Sequence, residues 1–237
     1  MGLVDYTLDE HIAIVTMNNG ENRFNDDFFS AFNRVLDEIE HETDARVVIV
    51  KSAHEKIWSN GIDLDWIRPV IQSKPEKAKE FMFELIKLYK RLLFYPMVTI
   101  AAITGHAFAG GAIMAAAFDF RFMRSDRGFF CLPEVDIGIP LTPSMIAIMK
   151  KAVPMYKFLE MQYLGLRLSA DECEKHNIII KSFPIDELMD GVLNFARPHN
   201  KDREMVGTMK KLTYQYFNDM FDVYDPVWVN SGKTGLI

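Results

Sequence analysis

Cysteine is scarce in this chain. There are two in 237 residues, Cys131 and Cys173, and no C-x-x-C spacing, which gives no basis for a disulfide framework or a cysteine-built zinc site. Positive charge is also short, with 27 Lys and Arg against 33 Asp and Glu for a net charge of -6. Nothing electrostatic therefore calls for nucleic acid or an anionic membrane as partner. No apolar run approaches the ~20 residues needed to cross a bilayer. The opening MGLVDYTLDEH lacks the basic segment and apolar core of a secretory signal, and the closing Thr234-Gly235-Leu236-Ile237 is unlike a peroxisomal SKL tail. A cytoplasmic protein is the expectation. What is present is ordinary: 49% hydrophobic and 25% charged residues, enough for one sizeable core in a chain of one domain or slightly more.

Periodicity predicts alternating strands and helices, hence an α/β architecture. Residues 3–8 and 11–17 alternate as two antiparallel strands, and 18–22 are a turn. Asn25, Asp26 and Asp27 are positioned to cap a helix that lines up Phe28, Phe32, Val35, Leu36 and Ile39. The run Val47–Val50 is continuously apolar, as a strand covered on both faces would be. A helix over 75–94 turns Phe81, Leu85, Leu88 and Leu92 inward and stops at Pro96, followed by a buried strand over 97–104. Further on, helices are expected at 143–153, 155–164 and 185–196, with a capping-box helix from Ser169 to His176. Strands are expected at 120–123 and 178–183. A boundary at 197–200 separates a core of 1–197 from an arm of 198–237, whose long helix over about 201–221 carries Met205, Met209, Leu212, Tyr216 and Phe217 on its apolar side.

The chemistry concentrates between Thr104 and Pro140. A strand breaks at Gly105-His106 into the small-residue turn Ala107–Gly111, and an apolar helix follows over 112–118. Small residues there admit a ligand to bare backbone, and the first amides of a helix are unpaired donors with positive dipole character. Glu134 then stands in an apolar segment. These features suggest one site, with amides that hold a developing oxyanion and a carboxylate that moves a proton. Burial among Phe129, Phe130, Leu132, Val135 and Ile137 would raise the Glu134 pKa toward neutrality.

Three motifs in order, SNGIDL at 59–64, ITGHAFAGGAIMAAAFDFRF at 103–122 and LPEVDIGI at 132–139, give the chain a resemblance to the crotonase, or enoyl-CoA hydratase/isomerase, superfamily over roughly residues 1–195. The resemblance implies a spiral of β-β-α units with a helical C-terminal oligomerisation arm, assembled as a homotrimer or a dimer of trimers. It implies an acyl-CoA thioester substrate in fatty acid metabolism, with CoA entering as part of the substrate and no metal or redox cofactor. It also implies that the N–H groups of Ile62 and Gly110 form an oxyanion hole, framed by Ser59, Asn60, Gly61, Asp63, Leu64 and Gly111 as substrate-binding positions. Hydratases of this superfamily use two glutamates. The second matches Glu134, but the first falls on Ile113, and the aspartate positions of dienoyl-CoA isomerases fall on Ile113 and Thr142. One carboxylate suffices for a 1,3-proton shift, whereas adding water is harder with one. The expectation is therefore a Δ3-Δ2-enoyl-CoA isomerase, and EVDIG with FMRSDRG also resembles the plant-type monofunctional isomerases. Hydration, decarboxylation, thioester hydrolysis or non-catalytic acyl-CoA binding are the alternatives.

Plainer roles compete at several positions. Asp136, two residues from Glu134, would share its face in an extended segment, but a turn or salt bridge suits it better. His106 reads as a satisfied histidine near a strand end rather than a base. Trp58 and Trp66 suit groove lining or core equally well. The methionines, including Met114, Met145 and Met149, suit core or oligomer contacts. Lys210 and Lys211 could meet CoA phosphates, but a solvated face is the simpler reading.

Overall fold

A computed structural model describes residues 2–235, so the last two residues of the closing tetrapeptide lie outside it. Its main sheet has six strands, Val4–Asp9, Ile12–Met17, Val47–Ser52, Val98–Ile103, Phe120–Arg124 and Lys181–Phe183, lying side by side in that order. The first pair is antiparallel and every later pairing is parallel. Val47–Val50 sits near the middle and is buried at all four positions, as its unbroken apolar run requires. A second sheet of short strands (Ile57–Ser59, His106–Phe108, Phe130–Cys131, Arg167–Leu168) stands beside the first, and Arg23–Phe24 pairs with Gly61–Ile62. Most expected elements fall within a few residues of their places. The Asp26–Glu42 helix is capped by the Asn25 side chain, which accepts from the Phe28 N–H. The Ser169/Glu172 capping box closes reciprocally.

Two expectations are corrected and one is sharpened. Residues Glu134–Ile137 form one helical turn, in keeping with the turn preferred for Asp136, which therefore does not share a face with Glu134. The strand expected over 178–183 is reduced to Lys181–Phe183, because Ile178 and Ile180 bond out of register, to Cys173 and Arg121. The long terminal helix is broken into Arg203–Thr213, Phe217–Asp219, a π-helical turn at Met220–Tyr224 and Asp225–Asn230, which takes in Trp228. Its apolar side is mostly outward, with Phe217 the exception. Met205, Met209, Leu212 and Tyr216 are exposed, while Gly207 and Lys210 face the core. Phe217, Phe221 and Val229 join the same apolar cluster as the strands, so residues beyond 198 share the core of residues before it. Among the described residues no helix is long and apolar enough to cross a membrane.

Candidate active site

Two glycine turns touch, and that contact builds the site. A Cβ placed on Gly61 would stand 2.6 Å from the Gly110 nitrogen, and one on Gly111 would stand 2.3 Å from the Ser59 carbonyl oxygen. Neither position has room for a side chain, so the backbones of 59–62 and 110–111 can pack directly. Asn22 holds the first turn from behind. Its amide donates to Ser52 Oγ at 2.7 Å and to the Trp58 carbonyl at 2.9 Å, while its own carbonyl accepts from Ser59 Oγ at 2.8 Å.

Backbone donors emerge where these turns meet. The Gly61 N–H is used by Ser59 Oγ at 3.2 Å and the Asp63 N–H by the Phe24 carbonyl at 3.0 Å. Between them the Ile62 N–H lies on the alternate edge of the strand and points the other way. Gly110 opens the helix Gly110–Ala117, so its N–H has no intrahelical partner. Ala112 and Ile113 already bond back to the Ala109 carbonyl. Ala109 itself holds φ 53 and ψ -128, a region costly for any residue with a Cβ. The Ala109 N–H is pinned to the Cys131 carbonyl at 3.0 Å, and the Gly110 carbonyl accepts from the buried Tyr89 hydroxyl at 2.9 Å.

Ile62 and Gly110 line one cavity of about 340 Å³ together with Glu134, Asn60 and Leu64. Glu134 Oε2 is buried without a hydrogen-bond partner, and burial lifts the carboxyl from 4.5 to about 7, its own backbone N–H opposing slightly. Phe130 and Leu132 behind it are buried, whereas Phe129, Val135 and Ile137 remain exposed. The other carboxylate in the lining, Asp65, is paired with Arg23 at 2.7 Å with most of its side chain in water. Ile113 is buried in the core and does not line the cavity, and Thr142 caps the helix Pro143–Ala152 by accepting from the Met145 N–H.

The remaining candidates separate into wall and frame. Asn60 and Leu64 are wall. Ser59, Gly61 and Gly111 are frame, and Asp63 caps the helix Leu64–Ser73 by accepting from the Trp66 N–H at 3.2 Å. Trp58 is fully buried with its indole N–H on the Val50 carbonyl, and Trp66 packs on Phe81, so both tryptophans support the core. His106 Nδ1 accepts from the Phe129 N–H at 3.2 Å, and the ring lies between Phe108 and Phe129. Phe108 and Ala109, from the small-residue turn, also line the cavity, and so do Arg23 and Arg68, which no motif singled out in the sequence. Among the described residues no group of three or more His, Cys, Asp or Glu side chains could hold a metal.

Two outward-facing backbone amides and one buried, unpaired carboxyl on a single cavity, set in this spiral of sheets, define a protein of the crotonase class. The chain belongs to the enoyl-CoA hydratase/isomerase family, whose model matches residues 7–220. It is 38% identical over 125 residues to enoyl-CoA delta isomerase 3 of Arabidopsis thaliana, covering 51% of each chain. It is 33% identical over 139 residues to the peroxisomal enoyl-CoA delta isomerase 2 of the same plant, covering 57% of each. These matches span a little over half the length of the curated relatives. A crystal structure of an enoyl-CoA hydratase/isomerase family protein from Pseudomonas syringae superposes with a TM-score of 0.86 at 26% identity, over 99% of this chain and 98% of that one.

Proposed function

We propose that the protein is a Δ3-Δ2-enoyl-CoA isomerase with Glu134 as its single acid–base group. The observation that carries this reading is the isolation of Glu134. It is the one buried carboxyl on a cavity that also bears two backbone donors, and its pKa of about 7 suits both taking and returning a proton near neutrality. The Glu134 carboxylate removes a proton from C2 of a 3-enoyl thioester, and the electron pair moves into a dienolate. The Ile62 and Gly110 N–H groups hold the thioester oxygen as it gains charge, each donor contributing about 3 kcal/mol in comparable sites. The protonated carboxyl then returns the proton to C4 and the double bond stands between C2 and C3. Atoms and electrons balance within the substrate and Glu134, so the shift calls for no further reactant.

Hydration would need a second group to deliver a proton while water is activated, and the position where the resemblance places the other hydratase glutamate holds Ile113. CoA phosphates would meet Arg68 at the cavity mouth more readily than Arg23, which is engaged by Glu21 and Asp65. The same proposal includes a homotrimer or a dimer of trimers, supported by the exposed Met209, Leu212 and Val227. The deciding experiment is conversion of a 3-enoyl-CoA to its 2-trans isomer by wild type and Glu134→Gln. Loss of about 10²-fold or more in kcat is expected. Undiminished turnover by the variant, or hydration of crotonyl-CoA outpacing isomerisation, would overturn the reading.

A further inference from the structure

The helix Gly110–Ala117 is buried at all its residues, so its last carbonyls have no water to turn to. It also lacks the usual remedy. The residue after it, Phe118, is extended (φ -63, ψ 158) rather than a left-handed glycine. Three carbonyls converge instead on one amine. Lys151 Nζ, from the last turn of Pro143–Ala152, donates to the carbonyls of Ala116 at 2.9 Å, Ala117 at 3.1 Å and Phe118 at 2.8 Å. Only the protonated amine has three N–H donors. Facing it are Arg121, which also donates to the Phe118 carbonyl at 2.8 Å, and Asp119, which pairs with Lys210 at 2.6 Å. The ring of Tyr214 lies 5.4 Å from Nζ.

We propose that Lys151 is a positioning residue for the reaction: by clamping the C-terminal end of this helix, it fixes the direction in which the Gly110 N–H at the other end meets the substrate oxygen. This rests on the isomerase reading. Eight residues make a rod of about 12 Å, sealed in apolar packing along its length, so a tilt released at one end is delivered to the other. An oxyanion donor works only when it is preorganised toward the charge that develops. The ammonium also neutralises the negative end of the helix dipole. Burial, with Arg121 and Lys210 nearby, pushes the Lys151 pKa well below the ordinary lysine value against the pull of Asp119, so the clamp releases at lower pH than an exposed lysine would.

The test is kcat and KM on a 3-enoyl-CoA for wild type, Lys151→Met and Lys151→Arg from about pH 6 to about pH 10, alongside melting curves. Lys151→Met is expected to lose about tenfold in kcat per folded molecule with KM within about twofold. Lys151→Arg is expected to keep most of the wild-type kcat and to move the alkaline fall in kcat to higher pH. Wild-type kcat in folded Lys151→Met, or an alkaline limb unmoved in Lys151→Arg, would overturn the proposal, and the arginine variant decides alone if the methionine variant does not fold. A wild type inactive on every 3-enoyl thioester sinks the isomerase reading and this inference with it. An active wild type beside an indifferent Lys151→Met sinks the inference alone.

Discussion

Glu134 and Ala109 both hold conformations or ionisation states that folding alone would not choose. The Glu134 carboxyl rises from 4.5 to about 7 because burial strips water from it. A carboxyl whose folded pKa exceeds its unfolded value favours the native state when protonated, so its contribution is full below about pH 4.5 and is lost as pH rises through about 7. Glu134→Gln should therefore match wild type in stability near pH 4.5 and exceed it at pH 8, by at most about 3 kcal/mol. Urea titrations at the two pH values check this, and equal gains at both would contradict it. In the wild type kcat/KM should rise with pH through about 7, as the base loses its proton. Ala109, at φ 53, is the matching case in the backbone. Ala109→Gly should relieve strain for a net gain of about 1 kcal/mol while lowering kcat several-fold, because the Gly110 amide it aims becomes freer. Thermal melts and single-substrate kinetics on one preparation measure both effects.

At the level of elements, local signals were legible and long-range ones were not. Asn25 and the Ser169/Glu172 pair announce their helices because a cap is a contact within three residues. At Glu134 the helical turn could only be guessed at through Asp136, because four residues are too few to reveal a period. The C-terminal helix was read as one continuous run, with its packing left open between core and oligomer contacts. Its apolar stripe was visible, but periodicity does not say whether a stripe meets the chain's own core. Lys210, taken for a solvated side chain, is buried, donates to the Met97 carbonyl at 2.8 Å and pairs with Asp119 at 2.6 Å. Its neighbour Lys211 is exposed. Lys210→Ala leaves the half-buried Asp119 with only its Thr99 hydrogen bonds and should cost about 3 kcal/mol, whereas Lys211→Ala should stay within about 0.5 kcal/mol. Chemical denaturation of the two variants distinguishes them, and similar losses would place the helix in another orientation. At the site, the motifs pointed to Glu134, Ile62 and Gly110, while the roles of Tyr89 and Lys151 depend on contacts 21 and 33–35 residues apart, which no local pattern encodes.

For the molecule as a whole, the exposed Met205, Met209, Leu212, Val223, Tyr224 and Val227 form more apolar surface on the C-terminal segment than a solvated helix needs. Self-association through this face is expected to bury it. Sedimentation of wild type should give a mass of three chains or a multiple of three, and Leu212→Asp with Val227→Asp should shift it toward the single chain. A wild type that stays monomeric at high concentration would refute the arrangement. The cavity that holds Glu134 lies on other elements, so a monomeric double variant also tells whether association serves the proposed chemistry or only stability.

The six strands of the main sheet stand side by side in the order in which the ribosome makes them. Each strand after the first has its partner already synthesised, and no strand waits for a later one to be inserted between neighbours. The sheet can therefore extend in the direction of translation, with the growing edge always at the newest strand. Gly61 is in place before Gly110 arrives to meet it, and Glu134 follows. The lysine that clamps the Gly110 helix, and then the segment bearing Lys210, emerge only afterwards. Assembly of this region is thus ordered by the chain itself, with the contacts that close the far end of the Gly110 helix arriving last.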